Sequence, residues 1–249
     1  MIKLISVTWS YNDTSDVKNT RLYKSFIKCN DKKNFYNIHF NRTNYQKLEK
    51  QFNDKFGYQY EFLLYRIFLL SEELTKLDVD LIIFSDTNDV VCLSNLDDIE
   101  FDLNDKIVFS SEKHRYPNEQ NVVNWEPNYK YDLSDVKKSN YLNAGLSIGK
   151  KEKYIELFNY CNDNIFDKEY KNFGGDQGVF TYYYLNSNNL IVLDKETEYF
   201  LSTYLDSPNN YSLINGKIKN LKTNRFPHFI HDNGWNYGSP KFIEHFKLV

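Results

Sequence analysis

Leu81-Ile82-Ile83-Phe84 carries no polar residue at alternate positions, so a strand built from it needs apolar cover on both faces. That is the setting of a mostly parallel sheet flanked by helices. The run passes through Ser85 into Asp86-Thr87-Asn88-Asp89, and Val90-Val91 then resumes the apolar pattern. Two carboxylates therefore stand where a buried strand surfaces, the usual place for a ligand in an open α/β sheet. Carboxylates three residues apart in a turn can converge on one hard divalent cation. The competing reading is a solvated acidic turn that binds nothing.

The rest of the chain fits the same architecture. Apolar runs predict strands over residues 2–8, 37–40, 81–84, 107–111, 142–148 and 190–193. Helical spacing predicts helices over residues 16–29, 62–77, 151–164 and 176–185. Residues 112–139 are polar and contain proline, which reads as a long surface loop of the kind that serves a site. Asn215-Gly216 is a hairpin turn. With 249 residues, no internal repeat and no linker, the expectation is a single α/β domain over 1–249.

Composition excludes some partners. A net charge of −3 gives no global basic field for nucleic acid. No apolar run reaches the length of a membrane span, and Met1-Ile2-Lys3-Leu4-Ile5 reads as a strand rather than a signal peptide. Cys29, Cys92 and Cys161 are odd in number and widely spaced, giving neither a zinc motif nor a disulfide framework. The expected setting is reducing and cytoplasmic.

Three further segments carry polar chemistry in an apolar frame. Asn143-Ala144-Gly145 lies inside the apolar strand pattern from Tyr141 to Gly149 and reads either as a bulge or as a sugar-binding floor with Asn143 as the hydrogen-bonding group. Phe173-Gly174-Gly175-Asp176-Gln177 reads either as a helix cap or as a polar pair against substrate, with Asp176 an acceptor, base or charge stabiliser. His231-Asp232-Asn233-Gly234 follows an apolar run, as the Asp86–Asp89 turn does, so His231 would complete a site of two carboxylates and one imidazole. His228 competes with it. Lys241 offers a point charge for phosphate, against the plainer reading of a solvated lysine.

Taken together and in order, these segments resemble the glycosyltransferase domain of the collagen lysyl hydroxylase and glycosyltransferase family. The matching residues are Thr8, Asp86 and Asp89, Ser110-Ser111-Glu112 through Tyr116-Pro117, Tyr141-Leu142-Asn143-Ala144-Gly145, Asp176-Gln177, and His231 with Asn233-Gly234. The resemblance runs over most of the chain and implies a GT-A fold with a Rossmann-like nucleotide-binding half. It implies Mn²⁺ held by Asp86, Asp89 and His231, and a UDP-sugar whose diphosphate that ion holds, with Lys241 adding charge. Thr8 and Gly234 would lie at the nucleotide and Glu112 at the donor pocket. Asn143, Asp176 and Gln177 would face the donor sugar and the acceptor hydroxyl of a glycan or protein, such as a hydroxylysine-linked glycan.

Three positions depart from the family pattern: Gly175 stands in place of an acid, Arg115 in place of a cysteine and Trp235 in place of a proline. Two other functions compete. A haloacid dehalogenase-type phosphotransferase sets its acids two residues apart, whereas Asp86 and Asp89 are three apart. A non-catalytic sugar-nucleotide or glycan-binding module would keep the fold and lose turnover, and Gly175 is the residue that favours it.

Overall fold

The structure, a computed structural model, describes residues 1–9, 16–56, 62–113, 141–165, 175–186, 190–233 and 241–248. Its strands begin with β1 (Ile2–Trp9), β2 (Phe35–Phe40), β3 (Leu81–Ser85), β4 (Val90–Cys92), β5 (Ile107–Glu112), β6 (Tyr141–Lys150) and β7 (Ile191–Asp194). All but β4 form one six-stranded sheet in the order β2-β1-β3-β6-β5-β7. Neighbours are parallel except where β6 meets β3 and β5. The helices are α1 (Arg21–Cys29), α2 (Arg42–Phe56), α3 (Phe62–Lys76), α4 (Lys151–Tyr160), α5 (Asp176–Asn186) and the short α6 (Phe242–His245).

Alternation along the strands divides the core between the two faces of the sheet. Ile5, Val7, Ile82, Phe84, Ile107 and Phe109 pack with residues of α2 to α5, among them Phe52, Tyr65, Leu157 and Phe180. Leu4, Ile83 and Val108 face the other way, toward Leu22 and Phe26 of α1 and toward a second, smaller sheet. That sheet joins β4 to β8 (Phe200–Ser202) and β11 (Phe229–His231) in the order β4-β11-β8. Between β8 and β11, strands β9 (Tyr211–Ile214) and β10 (Lys217–Asn220) form the expected hairpin about Asn215 and Gly216, whose φ angles are 49° and 76°.

Several boundaries differ from the sequence expectation for local reasons. The helix expected over 16–29 is two elements, because Asp16 caps a 3-10 turn at Val17–Asn19 and Thr20 then caps α1 by accepting from the Tyr23 N–H. Strand β2 starts two residues earlier, at Phe35. Helix α4 ends at Tyr160 and passes into a π turn at Cys161–Ile165. Helix α2 went unpredicted because only a narrow stripe, including Leu48 and Phe52, is buried on an otherwise polar segment. Glu112, placed at the start of a loop, is the last residue of β5, and residues 114–140 lie outside the described residues.

Strand β6 contains the irregularity that matters most. Its pairing with β5 jumps between Phe109 opposite Ser147 and Ser110 opposite Asn143. Leu142 and Ala144 consequently lie on the helix-packed face while Leu146 and Ile148, of the same parity, lie on the other. The bulge reading of Asn143-Ala144-Gly145 is therefore correct, and the bulge has a consequence. It turns Asn143 toward the small sheet, where His231 ends β11.

Candidate metal centre

Asp86 and Asp89 sit in the turn between β3 and β4, at the carboxyl end of a central strand of the sheet. Strand β11 runs antiparallel to β4 with His231 opposite Val90, and the Asp232 N–H donates to the Asp89 carbonyl at 2.8 Å. This pairing carries the imidazole to the acidic turn across 142 positions of sequence (231 − 89). His231 Nε2 lies 3.3 Å from Asp89 Oδ2 and 3.8 Å from Asp86 Oδ2. One ligand atom from each of the three residues falls within 4.8 Å of the others. Two hard oxygens and one imidazole nitrogen suit a divalent cation such as Mn²⁺.

Gly145 is what allows this convergence. The Asp86 N–H donates to the Gly145 carbonyl at 2.8 Å, so the turn is docked directly on the β6 bulge. A Cβ on Gly145 would lie 2.2 Å from His231 Cε1 and 2.8 Å from Asp86 Oδ2. No side chain fits there without displacing the site.

Behind His231 stands a chain of orienting groups. Asn143 Oδ1 lies 2.9 Å from His231 Nδ1 and also accepts the Gly145 N–H at 3.0 Å. The Asn143 amide group donates to Glu112 Oε1, which also accepts from Asn233. A carbonyl oxygen at Nδ1 selects the tautomer with its proton there, leaving Nε2 free to bind a metal. Without an ion, burial lowers the proton affinity of His231, but Asp89 and then Asp86 and Glu112 outweigh it and hold the imidazole at about 9. Asp89 responds in kind: burial would raise it, yet the His231 charge keeps it below the usual carboxylate range. Burial pushes Glu112 up to about 7, against the Asn143 bond, the His231 charge and the Asn233 bond. Its Oε2 and Asn233 Oδ1 are buried with no hydrogen-bond partner among the described residues.

One charged side chain at this site belongs to no motif in the sequence. Arg66 projects from α3, is 6% exposed, and lies with its guanidinium 5.0 Å from the Phe84 ring centre. It donates to Asp86 Oδ1 at 2.6 Å and to Asp176 through its other terminal nitrogen. A fixed cation thus joins a candidate metal ligand to the candidate acceptor-side acid. Burial raises Asp176, and Arg66 opposes that rise. Arg66 itself, despite burial, is held fully charged by Asp176 and Asp86. The basis for finding it was its place on an apolar helix face, where an unpaired arginine is costly and must have an acid to meet.

The other candidates fall in distinct places. Asp176 is the first residue of α5, preceded by Gly175 at φ 87°, and its carboxylate serves Arg66 as well as the helix start. Gln177 Oε1 accepts the Ala144 N–H at 3.3 Å, tying α5 to the bulge. Thr8 ends the buried part of β1, its hydroxyl accepting from Asn37 at 2.9 Å and lying 3.1 Å from His39 Nδ1. His228 is turned away, with Nδ1 2.8 Å from Ser94 Oγ. Gly234 lies outside the described residues. Lys241 borders an open pocket of about 380 Å³ together with Asn19, Thr20, Arg21, Asn88, Asp232 and Glu244. Asn88 belongs to the acidic turn, so this pocket adjoins the metal candidates. Arg21 and Lys241 share Glu244 as an ion-pair partner, at 3.5 and 3.4 Å.

Three solved structures with a similar arrangement of strands and helices are glycosyltransferases. Mouse xyloside xylosyltransferase 1 in its apo form superposes with a TM-score of 0.50 at 14% identity, over 81% of this chain and 87% of that one. The apo WbbM bifunctional glycosyltransferase matches with a TM-score of 0.51 at 14% identity, over 98% of this chain. This chain spans 49% of that longer one. A glycosyltransferase involved in glycosylation of the major capsid of PBCV-1 matches with a TM-score of 0.50 at 11% identity, over 99% of this chain and 100% of that one. The fold is therefore GT-A, a mixed α/β glycosyltransferase fold with a mostly parallel central sheet and flanking helices. Residues 18–239 match the PLOD GT domain, and the chain belongs to that glycosyltransferase family. Comparison with curated proteins by sequence returned no match.

Proposed function

We propose that this chain is a metal-dependent glycosyltransferase that moves a sugar from a UDP-sugar to a hydroxyl of a glycan or protein acceptor, with Mn²⁺ as its ion, in the cytoplasm. The observation that carries this reading is the convergence of Asp86, Asp89 and His231 at one point beside an open pocket lined by Arg21, Lys241 and their shared partner Glu244. Transfer breaks the bond from the anomeric carbon to the β-phosphate oxygen, forms one to the acceptor oxygen, and releases the acceptor hydroxyl proton. A bound ion would supply Lewis-acid neutralisation of the departing diphosphate.

The chain's own residues do the rest. Asn143, braced by Glu112, turns the His231 ring so that Nε2 faces the two carboxylates. Arg66 fixes Asp86 at one side of the ion site and Asp176 at the other end of its guanidinium. Lys241 and Arg21 place positive charge beside Asn88, where a diphosphate would be drawn. Thr8 and Gly234 are assigned to the nucleotide, Glu112 to the donor pocket, and Asp176 with Gln177 to the sugar and acceptor hydroxyl. A second reading, a sugar-nucleotide-binding module without turnover, is favoured by one observation. Where the family carries an acid, Gly175 sits at φ 87°, a conformation in which an aspartate would be strained.

The test is UDP release from a panel of UDP-sugars, with Mn²⁺ and with chelator, for wild type and Asp89→Ala. Metal-dependent release that the substitution lowers at least about 100-fold is expected. Metal-dependent UDP binding with no release from any sugar would transfer support to the binding module. Neither release nor binding would remove both readings.

A further inference from the structure

We propose that Cys29 and Cys92 form a reversible disulfide that pins α1 to β4 beside the acidic turn. Their Sγ atoms lie 3.9 Å apart although 63 residues separate them. Each thiol donates to the same acceptor, the Ser94 carbonyl, at 3.3 Å. The Asn30 amide group donates to both sulfurs, at 3.2 and 3.6 Å. Cys92 is held by its own N–H, which donates to Ser25 Oγ on α1 at 3.0 Å. The two sulfurs differ in access: Cys92 is buried, whereas Cys29 at the end of α1 is partly exposed. They also differ in proton affinity. The bond from Cys92 lowers the Cys29 thiol to about 7 against the effect of burial, while Cys92 is raised, first by that same bond and then by burial. A reachable thiolate backed by a buried thiol is the arrangement of an attacking and a resolving cysteine.

The oxidant is a small-molecule disulfide such as oxidised glutathione. The Cys29 thiolate attacks one of its sulfurs, breaking the S–S bond, releasing one thiolate and forming a mixed disulfide on Cys29. Cys92 gives its proton to solvent and attacks Cys29 Sγ, displacing the second thiolate. The protein loses two protons and two electrons, and the reagent gains them as two thiols. Bond formation draws the sulfurs together by roughly 1.9 Å, from 3.9 Å to about 2.05 Å. The first turn of α1 is already tied to the acidic turn, through the Leu22 N–H donating to the Thr87 carbonyl at 3.1 Å. Thr20 and Arg21, at the same end, line the pocket. Oxidation therefore fastens the second end of a helix whose first end borders the candidate site.

The folded, reduced protein is incubated with oxidised glutathione without oxygen, then digested and weighed without reduction. The expected product joins the Cys29 and Cys92 peptides with the loss of two hydrogens, leaves Cys161 as a free thiol, and is reversed by dithiothreitol. Its melting temperature should rise by roughly 5–15 °C, since the bridge closes a long loop. Cys92→Ser should instead retain glutathione on Cys29. A stable glutathione adduct in the wild type, a bridge to Cys161, or no reaction would each overturn the proposal. Mass and melting are read without metal or UDP-sugar, so failure here and failure of the glycosyltransferase reading are separate results.

Discussion

A methyl group at position 145 tests the site more sharply than loss of a ligand, because it leaves all three ligands in the sequence. Gly145→Ala puts a Cβ into the space of His231 and Asp86. It is expected to weaken Mn²⁺ binding at least about 10-fold and to cost about 1–3 kcal/mol of stability. Mn²⁺ titration by electron paramagnetic resonance, with a urea melt, reads both. Unchanged affinity would mean that the ion does not sit between these groups. Arg66 gives a second test. Removing it by Arg66→Leu leaves Asp86 and a buried Asp176 facing each other without a cation, at a cost of about 3–5 kcal/mol. Asp176→Asn in the same chain should recover much of that loss, and a double-mutant cycle would expose the coupling. An additive cycle would contradict the geometry. The imidazole supplies the pH dependence. Held at about 9 in the folded, ion-free protein against 6.5 ordinarily, His231 contributes stability that is complete below pH 6.5 and is lost as pH rises through about 9. A metal replaces that proton, so the melting-temperature gain from Mn²⁺ over chelator should grow between pH 6.5 and 9. A gain independent of pH across that window would place the ion elsewhere.

At the scale of the element, the critical connection is between β11 and the last helix. Asp232 is buried, and its two carboxylate oxygens accept the N–H groups of Phe242 and Ile243, at 3.1 and 3.0 Å. A residue ten positions upstream thus does the work of an N-cap for α6, whose own Lys241 makes no side-chain cap bond. Asp232→Ala is expected to cost about 1–2 kcal/mol and to speed amide exchange at residues 242–246, with Lys241 losing its fixed place at the pocket. Exchange unchanged at these amides would show that packing of Phe242 on Tyr211 holds the helix alone. Elements with a strong periodic signal were legible before the structure: the buried run at Leu81–Ser85 and the α3 stripe are where the apolar pattern puts them. Helix α2 was not, because its polar excess hides the few residues that pack. The three-residue strands β4, β8 and β11 are too short for periodicity, and only pairing across the chain defines them.

For the whole molecule, apolar cover on both faces of one sheet leaves the ends of its central strands as the place where charged groups are tolerated. Asp86, Asp89, Arg66, Asp176 and His231 gather there, and their mutual contacts bind β3, α3, α5 and β11 into one unit. Ion binding to such a unit stabilises the whole fold. At 100 times the dissociation constant, Mn²⁺ should raise the melting temperature by roughly 5–10 °C. A wild-type melt insensitive to Mn²⁺ would oppose the metal reading at this scale. The sequence by itself determined the α/β class, the strand that runs up to the acidic turn at Asp86, the acidic spacing and the ordered set of motifs that marks the family. Those are properties of neighbours along the chain, where side-chain period and turn chemistry act. Only the tertiary structure decided that Asn143 stands behind His231 rather than on the opposite face, because a register jump reverses the parity of β6. It alone decided that Arg66 joins Asp86 to Asp176 and that Cys29 meets Cys92, since both contacts depend on which helix lies on which face of the sheet.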